Sequence, residues 1–288
     1  MKQIAVINDL SGFGKCSLTA AIPVISVMGV QACPLPTAIL SNQTGYASYY
    51  CDDYTDKMSI FMDEWEKLHF KPDGIYSGFL ADADQVDKVL EFIRRFANES
   101  THILIDPVMG DQGETYDIYT EKLGKRMREL AECALMLTPN LTEALILLGD
   151  EVYMKKEWQR LEALSEKEYL KEVESIGAQL HREYPAAISV ITGIHCHKDG
   201  IPQMGNLICK DGKCTWVLAE KRGGSYSGTG DLFASILSAG MVKGMTVETC
   251  VKKAVDFLSK AIYDAVLEGK DRNDGVCFEK YLGDLIGE

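Results

Sequence analysis

No apolar stretch of this 288-residue chain reaches the roughly 18 residues that a membrane-spanning helix needs. Membrane insertion is set aside on that ground. Met1 leads straight into KQIAVIN, a strand-like run. A signal peptide would show a longer apolar region and a small-residue cleavage site, so a cytoplasmic protein is expected. Basic residues are in short supply: 30 Lys and Arg stand against 43 Asp and Glu, a net charge of −13. Such a balance argues against nucleic acid as a partner. Any phosphate site must then be built locally, from backbone amides, helix ends or a metal. The nine cysteines include no CxxC pair, and their number is odd. Reduced thiols are therefore expected rather than a secreted disulfide framework. Cys209 and Cys214 flank the turn KDGK and could face each other, but free thiols are the expectation there too. Internal repeats and low-complexity linkers are absent as well.

What is present is an ordinary globular composition, 46% apolar and 25% charged, enough for a sizeable core. Buried-strand and helix patterns alternate almost from end to end. IAVIN, VQACPLP, GIYSGF, HILIDP, ALMLTP and AISVITGI read as strands. SLTAAIPVISVMG, 56–69, 82–97 and the tail from 231 onward read as helices. Segments 203–209 and 214–220 form a hairpin about Asp211-Gly212. The charged segment 151–183 reads as solvated surface helices. Strands interleaved with helices predict an α/β fold with a mainly parallel sheet covered on both faces. One domain spanning 1–288 is the simpler expectation. Ligands of such sheets bind beyond the carboxyl ends of the strands. There the polar clusters fall: Asn8-Asp9, Ser77-Gly78, Asp106, Asn140 and Thr192-Gly193.

Two motifs are decoys. GFGKCS (12–17) resembles a phosphate loop, but its glycine spacing is short and Cys16 stands where a metal-binding hydroxyl belongs. HCH (195–197) places three adjacent residues on a strand or loop, where they cannot easily converge on one ion. SGTGDLF is stronger. Gly228, Thr229 and Gly230 can turn successive amides inward as an anion cradle at a helix N-terminus. Asp231, beside them, suits a proton acceptor for a substrate hydroxyl while the amides take up phosphoryl charge. A plain helix cap is the competing reading. In IDPVMGD, Asp106 ends a strand before a glycine-containing loop. In TPNLTEA, Asn140 and Glu143 lie three apart as a helix begins, which also resembles a capping box. A carboxylate and an amide near phosphates would hold Mg²⁺ through water.

GTGD, DPVMGD and TPNxxE in this order resemble the ribokinase-like superfamily of small-molecule kinases. SNQTGY (41–46), YSGFLAD (76–82) and GTGDLFAS (228–235) are similar to the pyridoxal kinases within it, from residue 4 to about 268. The resemblance implies a ribokinase-like three-layer α/β/α fold and ATP-dependent phosphorylation of the 5′-hydroxymethyl group of a B6 vitamer. It implies Asp231 as base and the 228–230 backbone as anion hole. Asn140, Glu143, Thr192, Gly193 and Thr229 would contact ATP, and Asp106 and Glu143 would hold Mg²⁺. A monovalent cation is an optional addition. Asp9, Thr44, Phe79, Tyr119 and Asp231 would meet the vitamer, Tyr119 or Tyr116 coming from a flap at Asp111–Thr120. The expected partners are ATP and a vitamer, in a homodimer, with no nucleic acid and no membrane.

Asp9 departs from the pattern, because many pyridoxal kinases carry there a serine that bonds the ring nitrogen. An acid in its place could pair with a protonated pyridine or shift the vitamer preferred. A hydroxymethylpyrimidine kinase of thiamin synthesis, and a non-catalytic nucleotide- or vitamer-binding regulator, stay as alternatives.

Overall fold

The computed structural model describes residues 1–286. In chain order the first half runs β1 (Gln3–Ser11), α1 (Ser17–Val27), β2 (Gln31–Leu40), β3 (Cys51–Asp53), α2 (Thr55–Lys67), β4 (Gly74–Ser77), α3 (Ala83–Phe96) and β5 (His102–Ile105). There follow β6 (Gly110–Asp111), β7 (Glu114–Thr115), α4 (Glu121–Ala131), β8 (Met136–Leu137), α5 (Leu141–Leu148), α6 (Glu151–Glu162) and α7 (Glu166–Glu183). Strands β9 (Ile188–Lys198), β10 (Ile201–Lys210) and β11 (Lys213–Glu220) precede helices α8 (Thr229–Val242) and α9 (Val247–Leu267). This is a three-layer α/β arrangement with a large, mainly parallel sheet, as the alternating pattern predicts. The chain divides into two compact units, Met1–Leu104 with Arg222–Glu288, and Ile105–Lys221.

In the first unit β1 lies between β2 and β4, parallel to both, with β3 antiparallel at the edge. Ile4, Ala5, Val6 and Ile7 are fully buried, which is why this strand reads as an unbroken apolar run rather than an alternation. Helix α1 packs on β1 and β2, and α8 packs on β4 and against α1 and α9. Being covered on several sides, α8 has no polar face: Leu232 to Val242 are all buried. Helix α3 starts where Asp82 accepts the Gln85 amide at 2.9 Å, the side-chain cap that its sequence position suggests.

In the second unit β8 and β9 are parallel, and β9, β10 and β11 form an antiparallel meander. Its last turn carries positive φ at Asp211 and Gly212, the conformation that a two-residue hairpin favours. Strands β6 and β7 make a separate hairpin turning at Gln112 and Gly113, again both at positive φ. The charged segment 151–183 is α6 and α7, each burying one apolar stripe (Met154 and Leu161; Val173, Ile176, Gly177 and Leu180) and solvating the rest.

One expectation is corrected in this unit. Cys209 and Cys214 are not free thiols but a disulfide, with Cα atoms 4.2 Å apart. The two-residue turn puts them directly opposite on β10 and β11. Compartment arguments do not register that pairing; strand register does. Among the described residues, no helix is long and apolar enough to cross a membrane.

Candidate functional site

The entry to α8 explains its glycines. Gly228 has φ +80°, and a Cβ there would collide with the Lys15 carbonyl. A side chain is thus excluded twice, by conformation and by space. Thr229 donates its hydroxyl to the Tyr226 carbonyl at 3.0 Å, which ties down the loop before the helix. The amides of the first turn have no partner within the helix and are available to an anion.

Asp231 lies in that first turn and is partly buried. Its Oδ1 accepts Asn8 Nδ2 at 2.9 Å and the Tyr76 hydroxyl at 3.4 Å. Burial pushes its pKa up to about 6, the charge of Asp9 adds to the rise, and hydrogen bonds from the Ser17 amide, Asn8 and Tyr76 oppose it. The carboxyl is therefore ionised at neutral pH yet more basic than an ordinary aspartate, a suitable state for a general base.

Asp9 is 5% exposed. Its Oδ2 accepts the Ser11 hydroxyl at 2.9 Å and its Oδ1 the Ser17 hydroxyl at 2.5 Å. Burial raises its pKa too. Phe79 is partly exposed, with its amide on Asn8 Oδ1 at 3.0 Å and its carbonyl accepting Thr37 Oγ1 at 3.2 Å. Asn8 thus brings Asp231, Asp9 and Phe79 together. Thr44 is exposed on a loop and makes no hydrogen bond to them. That loop is anchored through Gln43, which accepts the Gly45 amide at 2.7 Å and donates to the Asn273 carbonyl at 3.2 Å. The decoy GFGKCS is no phosphate loop: Lys15 pairs with Glu279 at 2.8 Å, and Cys16 is buried with its thiol pushed up to about 12.

The second unit carries the other polar cluster. Asp106 directly follows β5, is 8% exposed, and accepts the Thr138 hydroxyl at 3.0 Å. Glu143 is 4% exposed; its Oε1 accepts the Met109 amide at 3.2 Å and its Oε2 the Asn140 amide at 2.8 Å. Asn140 Oδ1 accepts the Glu143 amide at 3.0 Å, while its Nδ2 donates to the Gly110 carbonyl at 2.7 Å. Asn140 and Glu143 are thus a capping box that also clips the DPVMGD loop to α5. Burial, and then the charge of Asp106, hold the Glu143 carboxyl well above the usual range. Two buried carboxylates that each disfavour the other's charge fit a hard divalent cation, whose charge relieves both.

Thr192 forms a parallel bridge to Asn140, with its amide on the Pro139 carbonyl at 2.9 Å. Gly193 follows at φ +74°, exposed and open around its α-carbon. The two therefore lie beside the capping box, but within β9 rather than at its end as expected, because pairing with β10 carries the strand on to Lys198. Tyr119 is half-buried, its ring and hydroxyl turned onto Gly124 of α4, and its hydroxyl has no hydrogen-bond partner among the described residues. Tyr116, at 41% exposure, is the more open of the two flap tyrosines. HCH gives no metal site: Cys196 is buried and the His197 ring pairs with Glu166 at 2.7 Å. No cluster of three or more potential ligands occurs among the described residues.

Sequence reasoning gave no role to three of these residues. Asn8 shows only as a polar residue at a strand end. Tyr76 reads as one more apolar strand position. Ser17 has φ +51°, rare for serine, and no sequence pattern announces it.

The sequence matches the phosphomethylpyrimidine kinase family over residues 14–274. A Schizosaccharomyces pombe protein provisionally named a pyridoxal kinase is 24% identical over 97% of this chain and 89% of its own length. A Bacteroides thetaiotaomicron protein provisionally named a phosphomethylpyrimidine kinase, crystallised with pyridoxal, is 33% identical with a TM-score of 0.86, over 99% of this chain and 95% of that one. Pyridoxal kinase of Lactobacillus plantarum, 23% identical, shares the fold with a TM-score of 0.85, over 99% of this chain and 97% of that one.

Proposed function

The chain belongs to the phosphomethylpyrimidine kinase family, and we propose that it transfers the γ-phosphoryl group of ATP to the 5′-hydroxymethyl group of a B6 vitamer. The observation that carries this reading is Asp231, basic and oriented, in the first turn of a helix entered through an obligatory glycine. The 33%-identical protein crystallised with pyridoxal supports the choice of acceptor.

In this mechanism Asp231 takes the proton of the acceptor hydroxyl as that oxygen attacks. The amides of Gly228, Thr229 and Gly230 take up negative charge on the moving phosphoryl group. Asn140, Glu143, Thr192, Gly193 and Thr229 contact the nucleotide. Asp106 and Glu143 would hold Mg²⁺ through water, and the ion would supply positive charge to neutralise the phosphates. Phe79 offers a ring face to the vitamer and Thr44 a polar contact at its edge. Asp9 has both oxygens occupied by serine hydroxyls, so it acts on the acceptor pocket through its charge. Tyr119 supports the flap from within. We take chain 1–288 to act as one kinase domain, in a cytoplasmic homodimer and with a monovalent cation as an optional aid, as the resemblance of its motifs implies.

The test is formation of pyridoxal 5′-phosphate from pyridoxal and ATP by the purified protein and by Asp231→Asn. A positioned base is worth roughly 10²–10⁴ in rate. The variant should therefore keep ATP binding and lose turnover by that order. Near-normal turnover would leave Asp231 as a helix cap.

A further inference from the structure

Asn8 is fully buried at the carboxyl end of β1, and its amide is used on both sides. Oδ1 accepts two backbone N–H groups, Asp9 and Phe79, each at 3.0 Å. Those donors fix the amide's orientation, because a flipped group would set NH₂ against two N–H groups. Nδ2 is thereby forced toward Asp231 Oδ1, 2.9 Å away. Tyr76 also donates to Oδ1, which leaves Oδ2 as the oxygen free of side-chain donors. Gly78 makes the arrangement possible, since a Cβ there would overlap the Asn8 side chain.

We propose that Asn8 is a positioning residue for phosphoryl transfer, fixing with one amide both the carboxylate of the base and the backbone at the ring-facing Phe79. The proposal rests on the reading of Asp231 as base. A fixed N–H donor stabilises the ionised carboxylate and presents Oδ2 to the acceptor hydroxyl. The same side chain ties the loop after β4 to β1, so a loosened Asn8 would misplace vitamer and base together. The groups facing Asp231 besides Asn8 are Asp9 of β1, Tyr76 of β4, and Cys16 and Ser17 at the start of α1. Asp9 carries the competing charge. Cys16, with its thiol pushed up to about 12, stays neutral.

The sharpest variant is Asn8→Asp, which is isosteric and keeps an acceptor for both amides but replaces the donor facing Asp231 with oxygen. The acid limb of the kcat/KM profile for pyridoxal should move up by about one pH unit or more. At pH 7, kcat should fall about tenfold to a hundredfold, the worth of a hydrogen bond to a charged group, with KM for ATP unchanged. Asn8→Ser removes the reach to Phe79 as well and should also raise KM for pyridoxal. A wild-type acid limb and kcat in Asn8→Asp, with Asp231→Asn inactive, would overturn the positioning role alone. Turnover by Asp231→Asn would instead remove the base. Should Asn8→Asp fail to fold, Asn8→Ser decides: a loss confined to pyridoxal terms supports the proposal, and equal loss on ATP terms or no loss overturns it.

Discussion

Asn140 and Glu143 exchange hydrogen bonds across one helical turn: Asn140 Oδ1 accepts the Glu143 amide at 3.0 Å, and Glu143 Oε2 accepts the Asn140 amide at 2.8 Å. The pair therefore serves two purposes that mutation can separate. Glutamine at the third position also completes a capping box, but its NH₂ would then meet the Met109 amide that the second oxygen accepts, so Glu143→Gln should lower stability by about 1–3 kcal/mol. It also removes the charge, and should raise the Mg²⁺ needed for half-maximal activity without changing KM for the vitamer. Asn140→Ala should cost ~1 kcal/mol of stability as a lost cap without that change in Mg²⁺ dependence. Mg²⁺ titrations and melting curves of both variants check this.

The Asp231 carboxyl holds its proton more tightly in the folded chain, at about 6 against an ordinary 3.8. The unfolded state thus releases its proton first as pH rises, and stability from this group is present below about pH 4 and lost as pH rises through about 6. Asp231→Asn keeps an acceptor for Asn8 and carries no buried charge. It should therefore melt higher than the parent protein at pH 8 and show little difference at pH 4, by at most about 3 kcal/mol for a shift of two units. A lower Tm at pH 8 would contradict the raised pKa.

Asp9 adds to that rise through its charge. Asp9→Asn should then move the acid limb of the kcat/KM profile for the vitamer to lower pH, opposite to Asn8→Asp, and leave KM for ATP alone. If the ranking among pyridoxal, pyridoxine and pyridoxamine also changes, Asp9 reaches the acceptor pocket as proposed. A fixed ranking with altered ATP binding would place it on the phosphate side.

Gly228→Ala should be destabilising and inactive together. Left-handed backbone costs an alanine ~1–2 kcal/mol, and its Cβ would collide with the Lys15 carbonyl. Near-normal stability with near-normal turnover would show that the helix entry can relax, and would remove the anion cradle from the account.

Much of this was legible because strands buried on both faces, such as Ile4–Ile7, write their burial as unbroken apolar runs, and because proline after Ile105-Asp106 and after Thr138 marks where strands stop. The strand-end rule gathered Asn8, Asp106 and Asn140 without further help; it also picked out Thr192, although β9 runs on past that residue to Lys198. What escaped depends on three-dimensional partners. Cys209 and Cys214 pair because of register, Tyr119 turns inward because Gly124 leaves room for its ring, and Ser17 reaches Asp9 from a backbone conformation that its residue type disfavours. The last two have no period or spacing to read, whereas the cysteine spacing about the KDGK turn was legible and the expectation of reduced thiols overrode it.

Phe79→Ala tests the acceptor side by itself. Losing a ring stack costs about 0.5–1.5 kcal/mol beyond the lost area, so KM for the vitamer should rise severalfold or more while KM for ATP holds. Equal effects on both substrates would move Phe79 out of the vitamer pocket.

The most direct measurement compares kcat/KM with saturating Mg-ATP for pyridoxal, pyridoxine, pyridoxamine, hydroxymethylpyrimidine and a set of small sugars, following ADP release and the phosphorylated product. The account predicts the highest value for a B6 vitamer, with hydroxymethylpyrimidine lower and sugars lower still. A higher value for hydroxymethylpyrimidine or for a sugar, or no ADP release with any of them, would contradict it.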